Sequence, residues 1–336
     1  MDFMRTEPKK VFLITGATGF IGGLLVRALA ESGEAAELIL PVRDMGKAKK
    51  AFDGLSKNGG LTIHLVETSV EDWAITELAM PIDCILHCAS VTQSAEMTAH
   101  PVEAADGIVL GTKNILELAR KNRVKSMVYL SSMEVYGRVR EIGRPRREEE
   151  LGELDLTSAR SCYPMGKRMA EHYCHIYQQE YGVPVKIARL AQVFGRGVWQ
   201  EDNRVYMQFA RAVYEGRDIV LKTEGRSMGN YCSSDDAVAG IFTILNRGLD
   251  GEAYNVVNEA STMRIFEMAE LAANQLAGGR ISVKIEPEAG HSYAPDTELR
   301  LSGEKLRGLG WRAEKGLVEM YGEVIDSIKQ RQWRAK

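Results

Sequence analysis

The stretch that decides the fold is Lys10-Val11-Phe12-Leu13-Ile14-Thr15-Gly16-Ala17-Thr18-Gly19-Phe20-Ile21-Gly22. An apolar run typical of a buried strand leads into three evenly spaced glycines, and an apolar helical pattern comes next. Gly16 would permit the tight turn out of the strand, Gly19 would let the backbone approach a pyrophosphate, and Gly22 would let the helix pack close to the sheet. The first N–H groups of the helix would then face the phosphates. This context predicts a dinucleotide site.

The composition is that of a globular, soluble chain. The 336 residues are 45% hydrophobic and 26% charged, which is enough to bury a large core in one domain or two coupled domains. A net charge of −3 offers no basic surface for nucleic acid or an anionic membrane. The sequence contains neither a signal peptide pattern nor an apolar run of about 18 residues, so we expect a cytoplasmic protein.

The five cysteines are an odd number and include no Cys-x2-Cys pair. This pattern argues against a disulfide framework and against structural zinc, so we expect free thiols and no metal site.

Strand-like runs alternate with helical patterns over the first 190 residues. The predicted strands are residues 11–14, 37–40, 61–66, 84–87, 126–130 and 185–190. The predicted helices between them are residues 24–30, 48–55, 72–79, 111–121 and 163–181. Such alternation predicts an α/β fold with a doubly wound parallel sheet of the Rossmann type.

After residue 190 the alternation weakens, which predicts a smaller, discontinuous C-terminal substrate domain. Helices are predicted at residues 204–215, 236–246 and 265–276, with a strand at residues 253–257 that rejoins the main sheet. We therefore expect a dinucleotide-binding domain made of residues 1–190 plus about 232–262. Residues of about 191–231 plus 263–336 would form the substrate-binding domain.

A second constellation is Tyr163-Pro164-Met165-Gly166-Lys167 at the start of a predicted helix. Residues four apart share a helix face, so the Lys167 ammonium can lower the pKa of Tyr163 and make it a general base. About 30 residues earlier, Ser131 and Ser132 end a predicted strand, where ligands bind in such sheets. Together these residues predict an oxidoreductase site.

Three motifs in this order resemble the extended short-chain dehydrogenase/reductases, and within them the nucleotide-sugar epimerase/dehydratase family. They are the glycine-rich loop, Ser131-Ser132-Met133-Glu134-Val135-Tyr136-Gly137 and Tyr163-x3-Lys167. The resemblance implies that Tyr163 is the catalytic base, that Lys167 binds the nicotinamide ribose, and that Ser132 hydrogen-bonds the reacting sugar oxygen. It also implies oxidation of a nucleotide-sugar hydroxyl, usually at C4, to a bound ketone.

Glu134 and Met133 help to separate the reactions open to the ketone. Glu134 resembles a carboxylate of the dehydratase and uronate-decarboxylase branches, where it would act as a base near C5, although it could also be a surface glutamate. Met133 stands where 4,6-dehydratases carry an aspartate, and a thioether cannot donate a proton. The nearest branch is therefore UDP-glucuronate decarboxylase-like, with epimerisation and 4,6-dehydration as alternatives.

The end of the second strand bears on the choice between NAD and NADP. Val42 replaces the acidic residue that binds the ribose of NAD, and the next residue, Arg43, suits a 2′-phosphate, whereas Asp44 could still reach a ribose. Ser69 and Val70 replace an Asp-hydrophobic pair near the adenine. By resemblance, the cofactor-binding residues are Gly16, Thr18, Gly19, Phe20, Ile21, Gly22, Arg43, Ser69, Val70, Cys88, Ala89, Ser90, Tyr163 and Lys167.

The expected substrate contacts depart from the family pattern. Gln192 replaces an asparagine that binds the sugar nucleotide, and Gly229 replaces an arginine that binds the diphosphate. Arg204 or Arg226 could substitute for that arginine, or both could be plain surface residues. Ser131 is a further candidate for contact with the substrate.

Two other functions stay open. One is a net NADPH-dependent ketoreductase of a keto-sugar nucleotide or another small carbonyl, and the other is a cofactor-sensing binding protein without turnover. The helices at residues 114–121 and 163–181 resemble those that pair in dimeric relatives, which implies a homodimer. Alternatively, their apolar positions only face the sheet.

Overall fold

The computed structural model describes residues 9–55, 60–78, 80–139, 143–199, 201–287 and 296–334, with side chains up to residue 330. Twelve strands are formed within these ranges: β1 (Lys10–Thr15), β2 (Ala36–Val42), β3 (Thr62–Glu67), β4 (Cys84–His87), β5 (Ser126–Ser132), β6 (Val185–Leu190), β7 (Gln192–Phe194), β8 (Ile219–Leu221), β9 (Met228–Ser233), β10 (Ala253–Val256), β11 (Asn258–Arg264) and β12 (Val283–Ile285).

The described helices are α1 (Phe20–Glu31), α2 (Met45–Phe52), α3 (Ser94–Ala99), α4 (Pro101–Asn122), α5 (Cys162–Tyr181), α6 (Val205–Glu215), α7 (Ser234–Arg247), α8 (Ile265–Leu271), α9 (Glu304–Gly308) and α10 (Leu317–Arg334). In this described part of the chain, no helix combines the length and the apolar character needed to cross a membrane.

A seven-stranded parallel sheet in the order β3-β2-β1-β4-β5-β6-β10 confirms the predicted doubly wound fold. The strand order reverses between β1 and β4, and ligands of such sheets bind at this switch point, beyond the carboxyl ends of the strands. In the register of this pair Phe12 lies opposite Cys84, and Thr15 lies opposite His87. The ends of β1 and β4 are therefore level with each other.

Two predicted helices differ most from the structure. Only the 3₁₀ turn Trp73–Glu77 forms within the predicted 72–79 helix, whose residue 79 lies outside the described ranges. Pro81 comes soon after and cannot continue a helix. In contrast, α4 begins ten residues before the predicted residue 111, at Pro101, because proline suits the first helical position.

The chain forms two compact units. The first contains residues 1–131, 155–188 and 244–253, and the second contains residues 132–154, 189–243 and 254–336. This division differs from the expected boundaries because residues 132–154, 189–190, 232–243 and 254–262 group with the second unit. Within that unit, backbone bridges join Arg138 to Glu153 and Arg146 to Leu301, and these long-range pairings left no local signal in the sequence.

The second unit has its own small sheets and its own core. A three-stranded sheet has the order β11-β9-β7, and β8 pairs with β12. The Phe194 ring stacks on Tyr206 at 4.5 Å between centroids and meets Tyr231 and Tyr321 edge-on at 5.9 and 5.1 Å. These buried aromatic rings hold β7, β9, α6 and α10 together.

Candidate active site

The glycine-rich loop between β1 and α1 is too crowded for side chains. Gly16 has φ +65°, and a Cβ there would lie 2.8 Å from the backbone nitrogen of Ala89. A Cβ on Gly22 would lie 2.3 Å from the carbonyl oxygen of Gly16. The loop, the start of α1 and the turn after β4 therefore approach as closely as backbone permits, which is what a phosphate cradle requires.

The amino terminus of α1 suits an anion. The N-cap residue Gly19 has no capping side chain, and the first turn contains no acidic residue. Thr18, Phe20 and Ile21 are half-buried around this terminus. Within the described residues, the first N–H groups of α1 therefore have no side-chain cap, and they fit the pyrophosphate of a dinucleotide.

Thr15 ties β1 to the turn after β4. Its Oγ1 accepts hydrogen bonds from the N–H groups of Cys88 and Ala89, both at 3.1 Å, and lies 2.7 Å from His87 Nδ1. Because the hydroxyl already accepts twice, its proton points to Nδ1, which is then unprotonated. Nε2 of His87 therefore carries the proton and donates a hydrogen bond of 3.2 Å to Thr112 Oγ1.

Tyr163 and Lys167 lie on one buried face of α5, with exposed fractions of 6% and 3%. The Lys167 Nζ is 5.7 Å from the centroid of the Tyr163 ring and 4.9 Å from that of Tyr129. It donates a hydrogen bond of 2.8 Å to the carbonyl oxygen of Leu130 in β5. The ammonium is therefore anchored to the carboxyl end of β5, beside the tyrosine.

Burial lowers the pKa of Lys167 to about 8, because leaving water disfavours the charged form. The Glu171 carboxylate is the first of the groups that oppose this effect, ahead of the Cys88 and Cys174 sulfurs. Lys167 is therefore largely charged at neutral pH and close to losing its proton at mildly alkaline pH.

Ser131 and Ser132 end β5 as predicted. Ser131 is buried, and its hydroxyl has no hydrogen-bond partner among the described residues. The Ser132 hydroxyl accepts a hydrogen bond of 3.2 Å from the N–H of Glu134. Glu134 is half-buried in the 3₁₀ turn Met133–Tyr136, and Met133 packs against an apolar cluster that includes Val135 and Tyr136.

The sequence matches a known protein family over most of its length. Residues 12–257 match the family described as "NAD dependent epimerase/dehydratase family". The chain belongs to this family. It is accordingly an NAD-dependent enzyme of the epimerase/dehydratase type, and the NAD dependence agrees with the glycine-rich loop between β1 and α1.

The chain is similar to decarboxylases and to an epimerase of this kind. UDP-glucuronic acid decarboxylase 5 of Arabidopsis thaliana is 30% identical over 314 residues, covering 91% of this chain and 86% of that protein. UDP-glucuronic acid decarboxylase 1 of Danio rerio is 26% identical over 86% of this chain and 66% of its own length. The solved UDP-glucose 4-epimerase of Thermotoga maritima is 21% identical and shares the fold, with a TM-score of 0.80 over 96% of this chain and 99% of that one.

The family's ribose-binding position, at the end of β2, contains no carboxylate. Val42 is buried, whereas Arg43 is exposed and no described side chain pairs with it. The Asp44 carboxylate caps α2 by accepting a hydrogen bond of 2.8 Å from the N–H of Lys47. Asp44 is therefore already used locally, while the Arg43 guanidinium is available to a ligand.

Other residues expected at the cofactor lie on the first unit. The Ser69 hydroxyl accepts from the N–H of Glu71 at 3.3 Å, and the Val70 carbonyl accepts from Asn114 Nδ2 at 3.0 Å. Ser90 donates to the carbonyl of Val91 at 3.3 Å. Burial raises the pKa of the Cys88 thiol to about 12, so this cysteine is inert at neutral pH.

Apart from Ser131, the expected substrate residues lie on the second unit, where both arginine candidates have carboxylate partners. Arg204 Nε is 3.0 Å from each carboxylate oxygen of Asp202, and Arg226 forms an ion pair with Glu224. Gln192 is half-buried at the start of β7. Either arginine would have to exchange or share its carboxylate partner to bind a diphosphate.

Three polar residues of the site were not predicted from the sequence as site residues: Thr15, Thr112 and Glu171. Thr15 and Glu171 stand beside recognised motifs, and His87 was included only as part of an apolar strand. A single histidine at the end of a fully buried strand was the available signal, because buried polar groups need partners. Thr112 gave no local signal, since its contact with His87 spans 25 residues.

Proposed function

We propose that this protein modifies a nucleotide sugar by oxidising one hydroxyl, at C4, to a ketone that stays bound and then undergoes decarboxylation or epimerisation. The observation that carries the proposal is the buried pair Tyr163 and Lys167, with Lys167 anchored on Leu130 two residues before Ser132. The named relatives, which are UDP-glucuronic acid decarboxylases and a 4-epimerase, support the substrate class.

In the proposed reaction, Tyr163 accepts the proton of the sugar hydroxyl, and the nearby Lys167 ammonium stabilises the resulting phenolate. Ser132 donates a hydrogen bond to the reacting oxygen. A dinucleotide held at the glycine-rich loop, by Gly16, Gly19 and Gly22, would supply the acceptor for the hydride. Lys167 also binds the nicotinamide ribose, because its ammonium retains two donors beyond the one used by Leu130.

The ketone opens two routes to product. It makes a C6 carboxylate a β-keto acid, which loses carbon dioxide without a protein acid, and it acidifies the C5 hydrogen, where Glu134 would act as base. Met133 packs in the apolar cluster and offers no proton, which disfavours 4,6-dehydration. Decarboxylation is therefore the leading outcome, and epimerisation is the second. In either case the hydride would return to C4 of the bound ketone and the sugar oxygen would regain a proton, so that no net oxidation remains.

The test is to identify and count the dinucleotide released from denatured protein, then to incubate the protein with UDP-glucuronic acid and identify the product by mass spectrometry. Retained dinucleotide and a product lacking carbon dioxide would support decarboxylation, whereas unchanged mass with altered stereochemistry would indicate epimerisation. Unreacted UDP-glucuronic acid and an empty dinucleotide site would contradict the proposal.

Tyr163→Phe removes the proposed base. We expect turnover to fall by about 10²- to 10⁴-fold, with dinucleotide affinity nearly unchanged, because only the hydroxyl is lost. Steady-state kinetics and dinucleotide binding measure the two effects. Tyr181→Phe, at the exposed end of the same helix, is the control and should behave like the wild type. If Tyr163→Phe behaves like the wild type in every assay, Tyr163 is not the base, and that result would support a cofactor-sensing binding protein.

A net NADPH-dependent ketoreductase is the second candidate function, and the exposed Arg43 beyond β2 favours it. Such an enzyme would bind NADPH reversibly and consume it in proportion to product. A self-recycling enzyme would show no net consumption of added NADPH.

We also propose a homodimer. Leu110 on α4 and Met165 and Met169 on α5 are 46%, 37% and 40% exposed, and they belong to two helices that pack together. A second copy would cover them, as the resemblance to dimeric relatives implies. The cytoplasmic location stays a prediction.

A further inference from the structure

Glu171 is a buried carboxylate in α5, one turn beyond Lys167. Its exposed fraction is 4%, and that of Lys167 is 3%. Residues four apart lie on the same helix face, so the two opposite charges share one buried environment. A carboxylate at this depth is stabilised by nearby positive charge, and the Lys167 ammonium lies one turn away on the same helix.

Among the described residues, the other groups around the Lys167 ammonium are a backbone carbonyl, two phenols, an imidazole and two thiols. They come from β4 and its end, from β5 and from α5: His87, Cys88, Tyr129, Leu130, Tyr163 and Cys174. Burial lowers the pKa of His87 to about 3 and raises that of Cys88 to about 12, so both are uncharged at pH 7. Carbonyl and ring contacts orient an ammonium but do not neutralise it.

We propose that Glu171 is a positioning residue that keeps Lys167 protonated, so that Lys167 can hold the nicotinamide ribose and act on Tyr163. The inference rests on the proposed role of Lys167. Lys167 is close to losing its proton even with Glu171 present. An opposite charge at short range in a buried site changes a pKa by about one unit or more. Without the carboxylate, Lys167 would become neutral near physiological pH.

The test is the affinity for NAD⁺ between pH 6 and 9.5, measured calorimetrically. We expect wild-type affinity to fall above about pH 8. Glu171→Gln should move the start of this fall about one unit lower, weaken binding up to about tenfold at pH 8, and restore wild-type affinity at pH 6. Glu180→Gln, an exposed residue of the same helix, is the control and should leave the profile unchanged.

A uniform loss of affinity at every pH would assign Glu171 a structural role and overturn the inference, and so would an unchanged profile. If Glu171→Gln does not fold, Glu171→Met provides the same test, since it removes the charge and keeps a side chain of similar length. A profile midpoint unchanged in that variant would also overturn the inference.

Lys167→Met separates this inference from the proposed function. If Lys167→Met retains the alkaline fall in NAD⁺ affinity, Lys167 does not cause that fall, and the proposed role of Lys167 fails together with the inference. If Lys167→Met abolishes the fall while Glu171→Gln leaves its midpoint in place, only the inference about Glu171 fails.

Discussion

His87 shows how one buried residue couples stability to pH. Its side chain is enclosed between Thr15 and Thr112, and burial, aided by the charge of Lys167, lowers its pKa from 6.5 to about 3. The unfolded chain therefore binds a proton on His87 at a pH where the folded protein does not. Below about pH 6.5 this difference favours unfolding, by up to about 1.4 kcal/mol per pH unit.

We expect His87→Asn to reduce this pH dependence, because asparagine offers an acceptor near the position of Nδ1 but does not titrate. The wild type should be the more stable protein at pH 7, since the variant lacks the bond to Thr112. The difference in free energy of unfolding between the wild type and His87→Asn should be about 2 kcal/mol smaller at pH 5 than at pH 7. Urea unfolding at both pH values measures this, with the exposed His100→Asn as control. Equal pH slopes for wild type and His87→Asn would refute the prediction.

Arg43 is the residue at which cofactor preference can be tested. If it binds a 2′-phosphate, Arg43→Ala should weaken NADP⁺ binding by about tenfold or more and leave NAD⁺ binding almost unchanged, because only NADP⁺ carries that phosphate. Lys49→Ala removes a nearby exposed charge and should affect neither ligand. Equal losses for both dinucleotides would mean that Arg43 does not distinguish them.

At the scale of elements, the contact between β1 and the turn after β4 shapes the dinucleotide cradle. Thr15 holds two backbone N–H groups there, and Gly16 allows the turn to approach within a distance that no side chain permits. The two strands are neighbours in the sheet although these residues are more than 70 positions apart. The cradle therefore forms because β1 and β4 are neighbours in the sheet.

Thr15→Val should open this contact, because it keeps the shape of the side chain and leaves two backbone N–H groups without their acceptor. We expect a loss of about 2–5 kcal/mol in the free energy of unfolding and weaker NAD⁺ binding. Thr15→Ser keeps the hydroxyl and should retain most of the stability and most of the NAD⁺ affinity. Urea unfolding and calorimetry measure the two effects, and indistinguishable serine and valine variants would disprove the role of the hydroxyl.

At the scale of the whole molecule, the outer surface of α4 and α5 bears on whether two copies of the protein associate. α4 and α5 pack closely, since a Cβ on Gly166 would lie 3.4 Å from Ile108, and apolar side chains remain on their outer surface. Covering these side chains would release water from apolar surface and favour association.

We expect the wild type to have the mass of a dimer by light scattering and Met169→Asp to shift it to a monomer, because a buried unpaired charge is costly at an interface. Leu249→Asp changes an exposed apolar residue outside α4 and α5 and should remain dimeric. A monomeric wild type at micromolar concentration would exclude this assembly.

Local spacing was enough to predict the glycine-rich loop, the pairing of Tyr163 with Lys167 and the doubly wound sheet. Each of these depends on residues within one turn or on the alternation of strands and helices. The roles assigned to Ser132, Glu134 and Gln192 stay predictions. Two domains were expected, but the boundaries of the two units differ from the expected ones, because bridges such as that between Arg146 and Leu301 join distant parts of the chain.

The sequence by itself determined the fold class and the chemistry available at the start of α5, because helix faces and strand patterns are local properties. Only the tertiary structure decided how close Gly16 comes to Ala89, and that Lys167 is buried with Glu171 behind it. It also decided that Arg204 and Arg226 are paired with neighbouring carboxylates. Such distances and burials depend on which strands become neighbours and which side chains compete for a charge, and the spacing of residues does not encode them.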